Sequence, residues 1–112
     1  RDPEGKITFF NEYAQKFFGL AEKEILGREM IGTIVPEKDS QGNDQVRMIR
    51  EIGADPAQYP THEYENVRSN GERAWVSWTN KALRDAEQRP LEIICVGNDI
   101  TARKRHMSDT GV

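Results

Sequence analysis

Apolar and polar positions follow two different periods along this chain. Up to about residue 60 the apolar side chains come in short bursts at helical spacing. From His62 to Asn98 they alternate at a period of two. Asp2-Pro3-Glu4-Gly5 reads as a turn, because Pro fixes φ and Gly accepts positive φ. Lys6 to Phe10, KITFF, reads as a short β-branched and aromatic strand. Asn11 is placed to cap a helix with Glu12 in its first turn, Tyr13, Ala14, Phe17 and Phe18 on one face, and Gly19 at its end. A second short helix, about Ala21 to Leu26, closes on Gly27. MIGTIVP (30–36) is an apolar connector halted at Pro36, and KDSQGND is a loop with cap candidates. From Asp44, the spacing of Val46, Ile49 and Ile52 predicts an amphipathic helix that ends at Gly53. The two prolines of ADPAQYP (54–60) allow one helical turn at most.

The second period predicts three strands. HEYENVR and RAWVSWTNKALR flank Ser69-Asn70-Gly71-Glu72, an Asn-Gly hairpin. The polar loop DAEQRP then leads to LEIICVGN, the most apolar strand, and the chain continues as NDITARKRH. There are no internal repeats and no low-complexity segments. This order predicts one α+β domain, with short helices on one face of an antiparallel sheet.

Composition narrows the function. A chain of 112 residues makes one domain with one modest core. Sixteen basic against nineteen acidic residues leave −3, without the clustered positive charge that nucleic acids or membrane surfaces require. Arg103-Lys104-Arg105 is too short to count as a basic arm, and no apolar run approaches a membrane span. The single Cys95 excludes an internal disulfide and a cysteine zinc framework, and a reducing, cytoplasmic setting is the default expectation. With no initiator Met before Arg1, the sequence reads as a piece of a longer protein. His62 and His106 have no Ser or Cys partner placed nearby by sequence, and no phosphate cradle or metal spacing is present. The segment is read as a non-enzyme.

In order and spacing, DPEGKI followed by FFNEYAQKFFGL, EKEILG and IVP resembles the first half of a PAS domain. RSNGERAWVSW, KALRD and CVGNDITARK resemble the second half, up to its Asp-Ile-Thr signature and exit helix. The resemblance covers nearly the whole chain. It implies a PAS fold at residues 1–101, and at 102–112 the start of a helix leading to an output domain. Two departures stand out. PAS domains usually carry a Gly in the turn after the fourth strand, where this chain has Asp85-Ala86-Glu87-Gln88, so the loop is longer or holds a non-Gly residue at positive φ. The family sheet has five strands, and the first, which lies between the strand at 6–10 and the last one, is largely missing here. Either upstream residues or another segment would have to fill its place.

The resemblance also sets the strand register. It turns Tyr64, Asn66, Val76, Trp78, Asn80, Ile93, Cys95 and Gly97 toward an internal pocket. An aromatic with buried amides there could hold a small organic ligand; on the plainer reading Trp78 fills the space and the asparagines bond backbone. Haem is disfavoured because His62, the one candidate ligand, follows Tyr59-Pro60-Thr61 rather than lying in a helix. Flavin is disfavoured because light-sensing relatives carry Asn-Cys-Arg-Phe in the helical half, while Cys95 lies in the last strand. On the opposite face, Trp75, Ile94 and Val96 mark a surface that needs a cover, as an interface would. Asp99 and Thr101 can end the ladder and cap the exit helix, with Ile100 as anchor. By resemblance Asp99 pairs with Arg68 or Arg73. The expected function is a cytoplasmic sensory module, homodimeric, that binds a small ligand or a partner and acts on an output domain of the same polypeptide: a histidine kinase, a diguanylate cyclase or a transcription activator. The alternative is a ligand-free dimerisation and protein-interaction module.

Overall fold

A computed structural model of the chain describes residues 1–109. The described elements run α1 (Glu12–Phe18), α2 (Glu22–Ile25), α3 (Gln45–Ala54), a 3-10 turn (Pro56–Gln58), β1 (Thr61–Val67), β2 (Arg73–Arg84), β3 (Pro90–Asp99) and α4 (Thr101–Asp109). The three strands form one antiparallel sheet in the order β1-β2-β3. Tyr64 lies opposite Val76, Asn80 opposite Cys95, and Trp78 opposite both His62 and Gly97. The exit helix expected at 102–112 is described as far as Asp109; residues 110–112 of that expectation lie outside the described residues.

Local chemistry sets the helix boundaries. Asn11 Oδ1 accepts the Ala14 N–H at 2.8 Å to start α1, and Gly19, at φ 71°, ends it by donating to Gln15 O. Asp44 Oδ1 accepts the N–H groups of Val46 and Arg47 to start α3. That helix continues through Gly53 to Ala54, so Gly53 is not its stop. The glycine is needed for packing, because a Cβ there would run into the Pro3 carbonyl of the 2–5 turn. The 85–88 loop lacks glycine but still reaches positive φ, at Gln88 (φ 66°). Asp85 makes this feasible by accepting the Glu87 and Arg89 N–H groups.

The strand expected at 6–10 is replaced by a single bridge, Lys6 with Glu29. Ile7 donates to Arg28 O and accepts from Gly27 N, so this stretch pairs with the connector after α2 rather than with the sheet. Ile7 and Phe10 nonetheless enter the core with Phe18, Ile25, Ile34, Val35, Ile49 and Ile52, packed on Tyr64, Val76 and Trp78. One rung of a further strand is present on β3. Arg1 and Ile93 exchange N–H···O bonds of 3.0 and 2.7 Å, and the buried Arg1 guanidinium also donates to Ile49 O. Beyond that rung, Cys95 and Gly97 have the same orientation as Ile93, and no backbone partner meets them on the outer side among the described residues.

Candidate ligand cavity and the exit-helix junction

All eight pocket candidates lie on the face of the sheet that meets the core. Tyr64, Asn66, Val76, Trp78, Asn80 and Ile93 are buried, Cys95 is half-buried, and Gly97 is exposed at the edge. Alternation along paired strands places them there, since residues two apart share a face. Tyr64 stacks on Trp78 with ring centroids 6.1 Å apart. The Trp78 indole N–H donates to Asn66 Oδ1 at 3.1 Å, and Asn80 Nδ2 donates to the Tyr59 carbonyl. Asn66 Nδ2 is buried with no partner in the structure, an exposed need for an acceptor in an otherwise satisfied cluster. A Cβ on Gly97 would come within 3.0 Å of the Trp78 ring and of Val76, so the glycine lets the indole lie against the strand.

A cavity of about 210 Å³ opens between α1 and the β3 edge. Of the eight candidates, Val76, Trp78, Cys95 and Gly97 line it; Tyr64, Asn66, Asn80 and Ile93 do not. Its other wall is Asn11, Tyr13, Ala14, Phe17 and Phe18 of α1 and its cap. The helical face read from the sequence contained these side chains, but its pattern could not say which strand it would oppose. Tyr13 is largely exposed and stacks on Phe17, whose ring carries the Arg68 guanidinium 4.5 Å above it. The cavity is therefore aromatic and apolar, with a carboxylate at one end: Asp99 lines it too.

His62 and Cys95, the residues weighed for haem and flavin, stand in different strands, β1 and β3. The His62 ring lies between Tyr59 and Tyr64 in β1, and burial holds its pKa below the usual value, with Glu63 offsetting part of that. Cys95 stands in β3 with its thiol near Ile93 O, and burial pushes its pKa up.

At the junction, Asp99 Oδ1 accepts from both the N–H and the hydroxyl of Thr101, at 2.9 and 2.6 Å. Burial alone would raise the Asp99 carboxyl; these two hydrogen bonds, with the Arg68 and Arg105 charges, more than offset it and hold the pKa below its ordinary value. Thr101 Oγ1 also accepts the Trp75 N–H, and the buried Ile100 donates its N–H to Trp75 O. The junction is thus knitted into β2. The pairing of Asp99 with Arg68 or Arg73 does not form: Arg68 bonds Glu72 at 3.1 Å and Arg73 bonds Glu65 at 2.5 Å. Arg68 acts on Asp99 only through its charge, and Arg73 is drawn to the opposite face of the sheet, where Glu65 is buried.

Glu63, which the sequence did not single out, completes the junction with two residues of the basic run 103–105. Glu63 on β1 accepts from Arg103 at 2.7 Å and Lys104 at 2.9 Å, and Lys104 sits 4.9 Å over the Trp75 ring. Lys104 and Arg103 hold the Glu63 carboxyl below its ordinary pKa against the smaller effect of burial. Their signal in sequence was the short basic run 103–105. Trp75 is therefore covered by α4. Ile94 and Val96 remain exposed, and they lie elsewhere: Val96 pairs with Thr79, four residues along β2 from Trp75 and so about 13 Å away. The three interface candidates do not form one patch.

The family model for the PAS fold matches residues 1–100. No curated protein matches the chain. Among solved structures it is similar to a light-oxygen-voltage domain described in a flavin-analogue study, at 22% identity and a TM-score of 0.66, covering 97% of this chain and 79% of that one. It is similar to the PAS domain of the fruit-fly ELK potassium channel, at 10% identity and a TM-score of 0.65, covering 88% and 78%. It is also similar to a sensory box histidine kinase/response regulator from Burkholderia thailandensis E264, at 20% identity and a TM-score of 0.63, covering 89% and 72%. At these identities the likenesses speak for the fold.

Proposed function

The chain belongs to the PAS family, and from that premise we propose that it is a sensory module whose exit helix relays the state of the α1–β3 cavity to an output domain of the same polypeptide. One observation carries this reading. Thr101 Oγ1 and the Ile100 N–H are bonded to the backbone of Trp75, one residue from Val76 in the cavity wall, and Asp99 belongs to both cavity and cap. A ligand that displaces Val76 or Asp99 therefore acts directly on the start of α4. The aromatic lining suits a small organic ligand with an apolar ring. A histidine kinase output is supported by the likeness to a sensory box histidine kinase; a diguanylate cyclase or a transcription activator would use the same helix. The segment from residue 102 is read as the start of that helix, and the assembly as a homodimer.

A specific observation favours a second reading, the ligand-free interaction module. Trp78 and Tyr64 stack, and Asn80 bonds backbone, so part of the expected pocket is already filled. Native against denatured mass spectrometry separates the two, because a retained ligand adds mass in the native spectrum alone. The relay is tested by Asp99→Ala and Asp99→Asn in a protein containing the output domain. Both should uncouple output from signal to a greater degree than they weaken cavity binding, since Asp99 forms only one end of the cavity, with Asn the milder because it keeps an acceptor for Thr101. Output that responds normally in Asp99→Ala would reduce this junction to an ordinary strand end.

A further inference from the structure

A second cavity, of about 330 Å³, opens on the opposite face of the sheet. Trp75 and Glu65 line it from the strands, Ser40 from the 37–44 loop, and Lys104 and Arg105 from α4, with Arg73 of β2 beside Glu65. The chain as a whole carries −3, yet this concavity gathers three cations against one carboxylate. The carboxylate is already satisfied: Glu65 accepts from Ser40 N, Ser40 Oγ and Arg73 Nη1. The cations are not saturated. Arg73 donates through Nη1 alone, and the Arg105 guanidinium acts among the described residues only through its charge, on Asp99. Lys104 faces the same space while bonded to Glu63.

Like charges held in one concavity by a strand and a helix repel, and an anion between them relieves the repulsion while taking up the unused guanidinium N–H groups. Two guanidiniums suit a phosphate, whose oxygens accept paired N–H bonds from more than one direction. The volume exceeds that of a bare ion and leaves space for a small substituent. We propose that this cavity binds a small phosphomonoester, with Arg105 and Arg73 as its principal donors and Lys104 as an accessory charge. An occupant there would tie the 37–44 loop, β2 and α4 together on the side opposite the α1–β3 cavity. That consequence for the output rests on the relay reading of α4; the binding does not.

Titration calorimetry on the 112-residue chain, with inorganic phosphate and then glycerol 3-phosphate at constant ionic strength, tests the proposal. The expected result is saturable single-site binding of both probes, and no binding of chloride. Arg105→Gln should weaken it roughly ten-fold, the loss of one charge-assisted hydrogen bond. Arg105 is exposed and acts on Asp99 through its charge alone among the described residues, so this variant should keep the parent circular dichroism spectrum. Lys23→Gln, exposed on α2, should bind like the parent. The proposal is overturned by non-saturating binding, by unchanged affinity in Arg105→Gln, or by equal weakening in Lys23→Gln. Because the readout is binding alone, a failed relay in the Asp99 variants would leave it standing, and its own failure would leave the relay standing.

Discussion

Trp78 and Trp75 are neighbours in sequence pattern and opposites in energetics. Trp78 is 9% exposed, stacked on Tyr64 and hydrogen-bonded to Asn66, so truncation removes a large buried ring and strands an amide oxygen. Trp78→Ala should cost about 3–5 kcal/mol. Trp75 is half-buried under one lysine, and Trp75→Ala should cost about 1 kcal/mol, the scale of an exposed cation–π contact with some lost area. Urea melts of the two variants give the order; a reversed order would mean that the faces of β2 are inverted. His62 supplies a pH dependence at the same scale. Burial depresses its folded-state pKa below the ordinary 6.5, so the unfolded chain binds the proton first as pH falls. Its contribution to stability is complete above about pH 6.5 and is lost on acidification through the folded-state pKa. His62→Gln should flatten that part of the stability–pH curve, measured as denaturation midpoints from pH 7.5 to 5; an unchanged slope would place the titration on other groups.

At the level of elements, the sheet owes its finished β1 edge to side chains. Gln45 Oε1 accepts the Glu65 N–H and its amide donates to Glu65 O, so a helix residue supplies a rung that a further strand would otherwise provide. The main-chain carbonyl of Ile34 takes the Val67 N–H and closes a further position of that edge. α4 is held differently, by its backbone junction to Trp75 and by the Glu63 ion pairs. Pairs of this partly exposed kind contribute a few tenths to about 1 kcal/mol. Glu63→Gln should therefore loosen α4 without unfolding the sheet: hydrogen exchange of the amides of α4 should accelerate by roughly two- to five-fold, while those of β2 stay protected. Uniform acceleration in both elements would show that Glu63 supports the whole fold rather than α4 alone.

For the whole molecule the decisive feature is the outer edge of β3. Arg1 satisfies Ile93, but among the described residues no backbone partner meets the outer groups of Cys95 and Gly97, beside exposed Ile94 and Val96. An unpaired edge with apolar side chains beside it is a template for another strand. The 112-residue chain should associate as concentration rises, and Val96→Lys, which sets a charge on that edge, should shift it toward monomer. Sedimentation velocity across a wide concentration range reads this directly. A parent chain that stays monomeric throughout would show that the edge is protected in some other way.

Periodicity and turn chemistry were enough to place most of the elements. The Asn-Gly hairpin, the Asn11 and Asp44 caps, the helix stop at Gly19 and the change of period near residue 60 are local signals, and the corresponding helices and strands stand where those signals put them. The period of two left two faces to choose between on each strand, and in LEIICVGN both are apolar, so the inward one came from the family resemblance rather than from the pattern. Partnership across the chain was not legible. KITFF has strand-forming composition, yet it pairs with Glu29 and Arg28, because hydrogen bonding depends on which backbone lies alongside. Asp99 and the basic residues near the hairpin were all visible, but Arg73 goes to Glu65, a carboxylate on the outward face that the 37–44 loop buries. Composition cannot show that burial. Gln45, Glu63 and the α1 wall of the cavity likewise have ordinary sequence signals. They acquire roles only when segments more than ten residues apart are brought together, and that step depends on packing and charge compensation in three dimensions.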